Sequence, residues 1–444
     1  MFRVMNANET TRTRALHPIA QRISLDPSPT LRLNERVKAL WAEGEEVSHL
    51  GFGESRFPVH PKLRGALADN SHRKAYLPTQ GLPELREAVA AYYAGRLGCT
   101  FAADQVIIAP GSKALLFALQ MALDADLLLP SPSWVSYAPQ AKLLGKPCHA
   151  IPATAESGYD LTIEALAGTL ERAQSEYKVL IINSPNNPTG RMLSASFLEE
   201  LAIYCRKNNV IVLSDEIYGR VSHGPQHLSL AKVYPEGTVV VGGLSKHLSL
   251  GGWRLGHAVV PALQPHLTQA LVAIGSEIWS SASAPIQYAA LTAYSGDSDI
   301  ETYITTCTEL HALRTAALWR GLRRLSVRCP EPQGGFYLFP DFNAWRGPLA
   351  ERGVHTSTDL AAYLLEHHRL ATLPGESFGL PESDLSLRLS ASFIDLETDE
   401  KAAHILHLWQ TERDEVDLIQ NRHPGMQEVL AQFETFIAEL NADI

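Results

Sequence analysis

Short apolar runs alternate with helix-length amphipathic stretches through the first two thirds of the chain. The runs lie at 105–109 (QVIIA), 126–130 (DLLLP), 178–183 (KVLIIN), 210–214 (VIVLS), 238–243 (TVVVGG) and 257–260 (HAVV). Helical periodicity between them predicts helices over 113–123, 135–144, 162–174 and 194–208. Strands this rich in Val, Ile and Leu, separated by helices, predict an α/β fold whose mostly parallel sheet is covered on both faces. In such a sheet functional residues gather at the carboxyl ends of the strands.

The flanks read differently. Residues 1–30 are polar and then punctuated by Pro27 and Pro29, which predicts an arm; an amphipathic helix follows over 31–43. Pro83 heads the helical segment PELREAVAAYYAGRL, a first-turn position where its missing N–H has no helical partner to lose. Beyond about 300 a long helical stretch leads into GGFYLFPDF (334–342) and RLSASF (388–393), which read as strands of a second, mixed region. The tail from 398 to 441 is largely helical, with a break near His423-Pro424-Gly425.

Composition narrows the function classes. A chain of 444 residues, 45% hydrophobic, suits one large unit and a smaller one. A formal charge of −10 with no long run of either sign argues against nucleic acid as a partner. Cys99, Cys148, Cys205, Cys307 and Cys329 are scattered without paired spacing, against a zinc site or disulfide framework and in keeping with a reducing cytoplasm. The opening residues have no apolar core, so no secretory leader is expected, and no stretch has the roughly 18–20 apolar residues that span a bilayer. No metal is expected: His404, His407 and the pair His367-His368 lack supporting carboxylates or thiols at ligand spacing. GFGESR lacks the third glycine of a dinucleotide fingerprint, and no P-loop occurs.

The strand ends carry the chemistry. KVLIIN runs into Asn187 within NNPTG; VIVLS runs into Asp215 and Tyr218; TVVVGG runs into Ser245 and Lys246, with Arg254 eight residues on. Singly, these read as a turn, a helix cap and a solvated pair. Together they bring an amide, a carboxylate with a phenol, and an amine with a guanidinium to one rim, the set a phosphorylated, charged aromatic aldehyde requires.

The strings NNPTG, SDEIYG and SKHLSLGGWRLG resemble the signature segments of the class I/II pyridoxal-phosphate (PLP) aminotransferases, in the same order and spacing. GFGE (51–54), YLPTQGLPELREA (76–88), PGSKALL (110–116), PSWVSY (132–137), PQGGFYLF (332–339) and LRLSAS (387–392) extend the resemblance from about Leu31 to Phe393. It implies an aspartate aminotransferase-like α/β fold. The large domain is expected over 61–324 as three layers around a mixed, mostly parallel sheet, and a smaller α+β domain is expected from both chain ends, 31–60 and 325–444.

The resemblance also implies roles. Lys246 forms an imine with the cofactor aldehyde and moves the proton; Asp215 keeps the pyridine nitrogen protonated; Asn187 and Tyr218 bond the ring oxygen. Gly111, Ser112 and Lys113, the last chiefly through backbone N–H, join Ser245 and Arg254 around the phosphate at a helix N-terminus. Trp134 stacks on the ring, and Tyr76 reaches the neighbouring subunit's cofactor, implying a homodimer with shared active sites. Arg388 grips the substrate carboxylate through a two-point fork, with the Gly53 backbone beside it.

The expected function is transfer of an α-amino group between an amino acid and a 2-oxo acid. A lyase, cyclase or oxidase on the same scaffold is the alternative, since the cofactor motifs do not separate them; a regulatory domain is disfavoured because residues 1–30 are too short for a winged helix. Two features depart from the family pattern: Arg56, a candidate contact for an acidic substrate side chain, and the extension beyond about 411.

Overall fold

The computed structural model describes residues 27–442. Most of the expected arm lies outside the described residues. The chain opens with α1 (Pro29–Ala42), β1 (Ser48–His49), α2 (Pro61–Asn70) and α3 (Pro83–Leu97). Then come β2 (Val106–Ala109), α4 (Ser112–Ala122), β3 (Asp126–Ser131), α5 (Tyr137–Leu144), β4 (Cys148–Pro152) and α6 (Ile163–Leu170). The alternation continues through β5 (Lys178–Asn183), α7 (Ala195–Lys207), β6 (Val210–Asp215), β7 (Thr238–Gly243) and β8 (Gly256–Val259). Three helices follow, α8 (Pro265–Ile278), α9 (Ala284–Ala293) and α10 (Ser298–Arg324).

The remainder comprises β9 (Tyr337–Leu338), α11 (Arg346–Glu351), α12 (Ser357–His368), β10 (Leu370–Ala371), β11 (Leu373–Pro374) and β12 (Leu387–Ser390). It ends with α13 (Asp399–Thr411), α14 (Glu415–Asn421) and α15 (Pro424–Asn441).

Seven strands form one sheet in the order β2-β8-β7-β6-β5-β3-β4. All neighbours are parallel except at β8, which runs antiparallel to both β2 and β7. Residues of β6 and β7 are almost all buried, which is why their apolar runs do not alternate. β4 escapes the pattern reading because it is an edge strand, its sequence CHAIP mostly exposed or half-exposed. The predicted strand 334–342 contracts to two residues: it begins with two glycines and is closed by Pro340, which cannot donate to a ladder.

A smaller three-stranded antiparallel sheet, β11-β12-β9, is fed from the far end of the chain, and β1 pairs in parallel with β10. Leu50 and Leu338 share a buried cluster with Phe433, Phe436 and Leu440 of α15, so both chain ends build one core. The α13 residues Ala402, Ile405 and Trp409 instead join the cluster containing Leu310 of α10 and Val89 of α3. Asp395 links the two: its carboxylate accepts from Gly425 N at 2.8 Å and Met426 N at 3.1 Å, satisfying the first free donors of α15. α13 and α14 form the excursion between the cap and the helix it caps.

Candidate active site

The sheet's register builds the site. Asn183 is level with Asp215, and Asp215 with Val241, so β5, β6 and β7 end side by side. Antiparallel β8 starts where its neighbours finish, Gly256 facing both Gly243 and Ala109. This reversal brings Arg254, just ahead of β8, to the same rim as Gly111 and Ser112. A cavity of about 330 Å³ opens there, lined among others by Asn187, Asp215, Tyr218, Ser245, Lys246 and Arg254. Gly53, Ser112, Lys113, Trp134 and Arg388 line it too. Tyr76 does not; its side chain is 89% exposed on the loop between α2 and α3.

Lys246 Nζ donates to Gly53 O at 2.7 Å and lies 5.5 Å from the centre of the Tyr218 ring. Burial lowers its pKa to about 8; the charges of Glu54 and Asp215 oppose the shift and those of Arg388 and Arg254 add to it. At that value about a tenth of the amine is unprotonated at pH 7, against about 0.03% for an ordinary lysine. Asp215 shifts the other way. Burial raises its carboxyl to about 6, although Tyr137 Oη donates to Oδ2 at 2.8 Å and Ile217 N to Oδ1 at 3.2 Å.

Arg388 lies on β12, buried, its guanidinium 4.7 Å above the Tyr337 ring and 5.2 Å from Phe378. Nη1 donates to Asn187 Oδ1 at 3.3 Å and Nη2 to Gly51 O, but buried Nε has no partner among the described residues. Arg254 donates to Gly251 O and Pro110 O at 2.9 and 3.3 Å, and among the described residues it forms no ion pair. Gly111 has φ +91°, and a Cβ there would lie 2.2 Å from Arg254 Nη2, so only glycine lets this cation close over the start of α4. The Lys113 ammonium lies 5.0 Å from the Trp134 ring centre, its pKa lowered by burial and then by Arg254.

These features fit PLP. A buried carboxylic acid whose ionisation no neighbour fully supports suits a cationic ring nitrogen. A helix N-terminus with a guanidinium beside it that forms no ion pair among the described residues suits a phosphate. A buried amine of lowered pKa suits an aldehyde.

Several contributors were not singled out by sequence. Tyr137 closes on Asp215; Asn183 Nδ2 donates to Asp215 O at 2.8 Å while its Oδ1 accepts from Asn187 N at 2.8 Å; Tyr337 lies against Tyr218 and Arg388. All three occur inside strings already noted, but an aromatic or amide after an apolar run reads as core or turn. Arg56 is turned away from the cavity, pairing with Glu54 at 3.4 Å and Asp399 at 3.5 Å and lying over Phe393. Behind the sheet, alternation sends Glu216 to the opposite face from Asp215. There Ser214 and Ser229 donate to its Oε1 at 3.0 and 2.6 Å.

The model of the "Aminotransferase class I and II" family matches residues 45–406. Aspartate aminotransferase of Geobacillus stearothermophilus is 34% identical over 87% of this chain and 98% of its own length. That of Bacillus subtilis is 33% identical over 85% and 95%. Aspartate aminotransferase of Thermus thermophilus, solved with maleate, superimposes with a TM-score of 0.77 at 27% identity, covering 88% of this chain and 98% of that one. The chain belongs to the class I and II aminotransferases. It is a PLP-dependent aminotransferase, acting on an amino acid and an oxo acid, with an aspartate aminotransferase-like fold. Among the described residues no helix is long and apolar enough to cross a membrane.

Proposed function

We propose that the amino donor is a dicarboxylic amino acid of the aspartate type, with Arg388 taking its α-carboxylate and Lys113 its distal one. The observation that carries this reading is a second cation without an ion-pair partner among the described residues: Lys113, on the cavity wall beside Trp134. A monocarboxylic substrate leaves that charge uncompensated. The names of the relatives and the dicarboxylate maleate in the Thermus thermophilus structure support the same choice.

In this reading Lys246 holds PLP covalently as a Schiff base. Asp215 serves the ring nitrogen, Asn187 and Tyr218 the ring oxygen, and Trp134 the ring face. Gly111, Ser112, Ser245 and Arg254 serve the phosphate. When bound, the cofactor supplies the carbon that accepts the amino group and an electron-poor ring that takes up the electrons of the broken α C–H bond. The protein does the rest. Once the donor's amino group has displaced it, Lys246 Nζ, with its lowered pKa, would remove the proton from the donor's α-carbon and redeliver it. Arg388 and Asn187 hold that carbon beside the amine, and the Gly53 carbonyl fixes Nζ between transfers.

The working unit in this proposal is a homodimer, in which the exposed Tyr76 reaches the partner's site. A cytoplasmic location accords with five unpaired cysteines. The proposed large domain spans 61–324 and the small one 31–60 with 325–444, although Ile405 and Trp409 of α13 and Leu418 of α14 pack into the cluster that holds Val89 of α3.

The test is a half-reaction. Aspartate added without oxo acid is expected to bleach the lysine-bound cofactor's visible band stoichiometrically, and a 2-oxo acid to restore it. A spectrum that recovers unaided indicates elimination and refutes transamination. Lys113→Ala is expected to lower kcat/KM for aspartate about 30-fold while leaving that for alanine within about twofold; an equal loss for both removes Lys113 from substrate recognition.

A further inference from the structure

Tyr337 opens β9 and is 1% exposed, yet its hydroxyl lies among polar groups of the site. That oxygen is 2.7 Å from the Tyr218 hydroxyl and 3.4 Å from Gly53 O, the carbonyl already accepting from Lys246 Nζ. A Cβ on Gly53 would fall 1.9 Å from the Tyr337 oxygen, so the hydroxyl occupies space that only glycine leaves open. The ring carries the other half of the environment, lying under the Arg388 guanidinium at 4.7 Å.

A phenol has one proton. Two phenols in contact must divide theirs, and if Tyr218 donates to Tyr337 it has none left for the cavity. Gly53 O is a poor outlet for the Tyr337 proton, being distant and already engaged by an amine. The better allocation has Tyr337 donate to Tyr218, which turns the Tyr218 O–H toward the cavity and polarises it as a donor.

We propose that Tyr337 is a positioning residue of the transamination: its hydroxyl orients and strengthens the Tyr218 O–H toward the cofactor's ring oxygen, and its ring holds the Arg388 guanidinium for the substrate carboxylate. The inference rests on the proposed roles of Tyr218 and Arg388 and adds a residue that touches both. One side chain thereby couples cofactor tuning to substrate grip, and the two halves separate chemically: the oxygen serves the first, the ring the second.

The experiment compares the holoenzymes of the wild type, Tyr337→Phe and Tyr337→Leu by pH titration of the visible band and by steady-state kinetics. A donor on the ring oxygen favours the unprotonated form of the lysine–cofactor linkage, so weakening it moves the titration midpoint up. Tyr337→Phe keeps the ring and is expected to raise the midpoint by about half to one unit with KM for the donor within about twofold. Tyr337→Leu is expected to show the same midpoint change together with a KM raised about tenfold.

A Phe midpoint within about 0.2 unit of wild type overturns the first half of the proposal, and a Phe variant whose KM rises as far as the Leu variant's overturns the second. As an independent check, Tyr337→Phe in a Tyr218→Phe background is expected to move the midpoint no further, because the relay has lost its middle member; additive shifts overturn the relay. Failure of the underlying reading looks different: the wild type then shows no visible band, or the band survives Lys246→Ala.

Discussion

A carboxyl group buried as Asp215 is, with no cation in contact, is easier to keep protonated than ionised. Its pKa of about 6 in the fold exceeds the ordinary 3.8, so its contribution to the stability of cofactor-free protein is fully present below about pH 4 and is lost as pH rises through about 6. The loss is on the order of 3 kcal/mol. A cationic ring nitrogen beside it reverses the preference, so the cofactor's stabilising effect is expected to grow over the same interval. Calorimetry of cofactor-free wild type and Asp215→Asn at about pH 4.5, 6 and 7.5 checks this. The wild type is expected to lose stability relative to the variant with rising pH, and a constant difference refutes it.

Sequence legibility at this scale followed chemical type. Lys246, Asp215 and Arg254 stood out because charged groups at the ends of buried strands need a reason. Tyr137 and Tyr337 did not, because an aromatic is at home in a core and its hydroxyl partner lies 78 or 119 residues away. Arg56 looked available for substrate until folding brought Asp399, 343 residues on, against it.

At the scale of elements, strand periodicity pointed to the rim where the cavity opens, but the direction of β8 was invisible: antiparallel and parallel strands of this burial have the same apolar run, and only the fold shows why Arg254 arrives there. The tail was the least legible part, since helical periodicity says which face is apolar and nothing about what covers it. The structure makes α15 a wall of the smaller core, with Phe433 fully buried and nearly parallel to Phe342, 13° between planes at 6.4 Å. Phe433→Ala is therefore expected to cost about 3–5 kcal/mol in denaturant unfolding while sparing the cofactor spectrum. A cost below about 1 kcal/mol makes α15 peripheral.

For the whole molecule, the role proposed for the exposed Tyr76 requires a second subunit. If it serves the partner's site, mixed dimers of Tyr76→Ala and Lys246→Ala subunits contain one intact site of two. An equimolar remix of the inactive parents is expected to recover about a quarter of wild-type activity; no recovery places Tyr76 in its own subunit's site, and a Tyr76→Ala parent already active before mixing places it outside catalysis.

The pairing of Ser48 with Leu370 and His49 with Ala371 has a consequence for synthesis. A nascent chain leaves the ribosome at about 5–20 residues per second, so β1 emerges roughly 15–60 s before its neighbour exists. Throughout that delay Leu50, fully buried at the end, lacks every partner of its cluster, all of which come from residue 318 onward, and Val37 and Leu40 lack Ala371. The segment 37–50 therefore carries apolar surface whose final cover is among the last parts of the chain to be made.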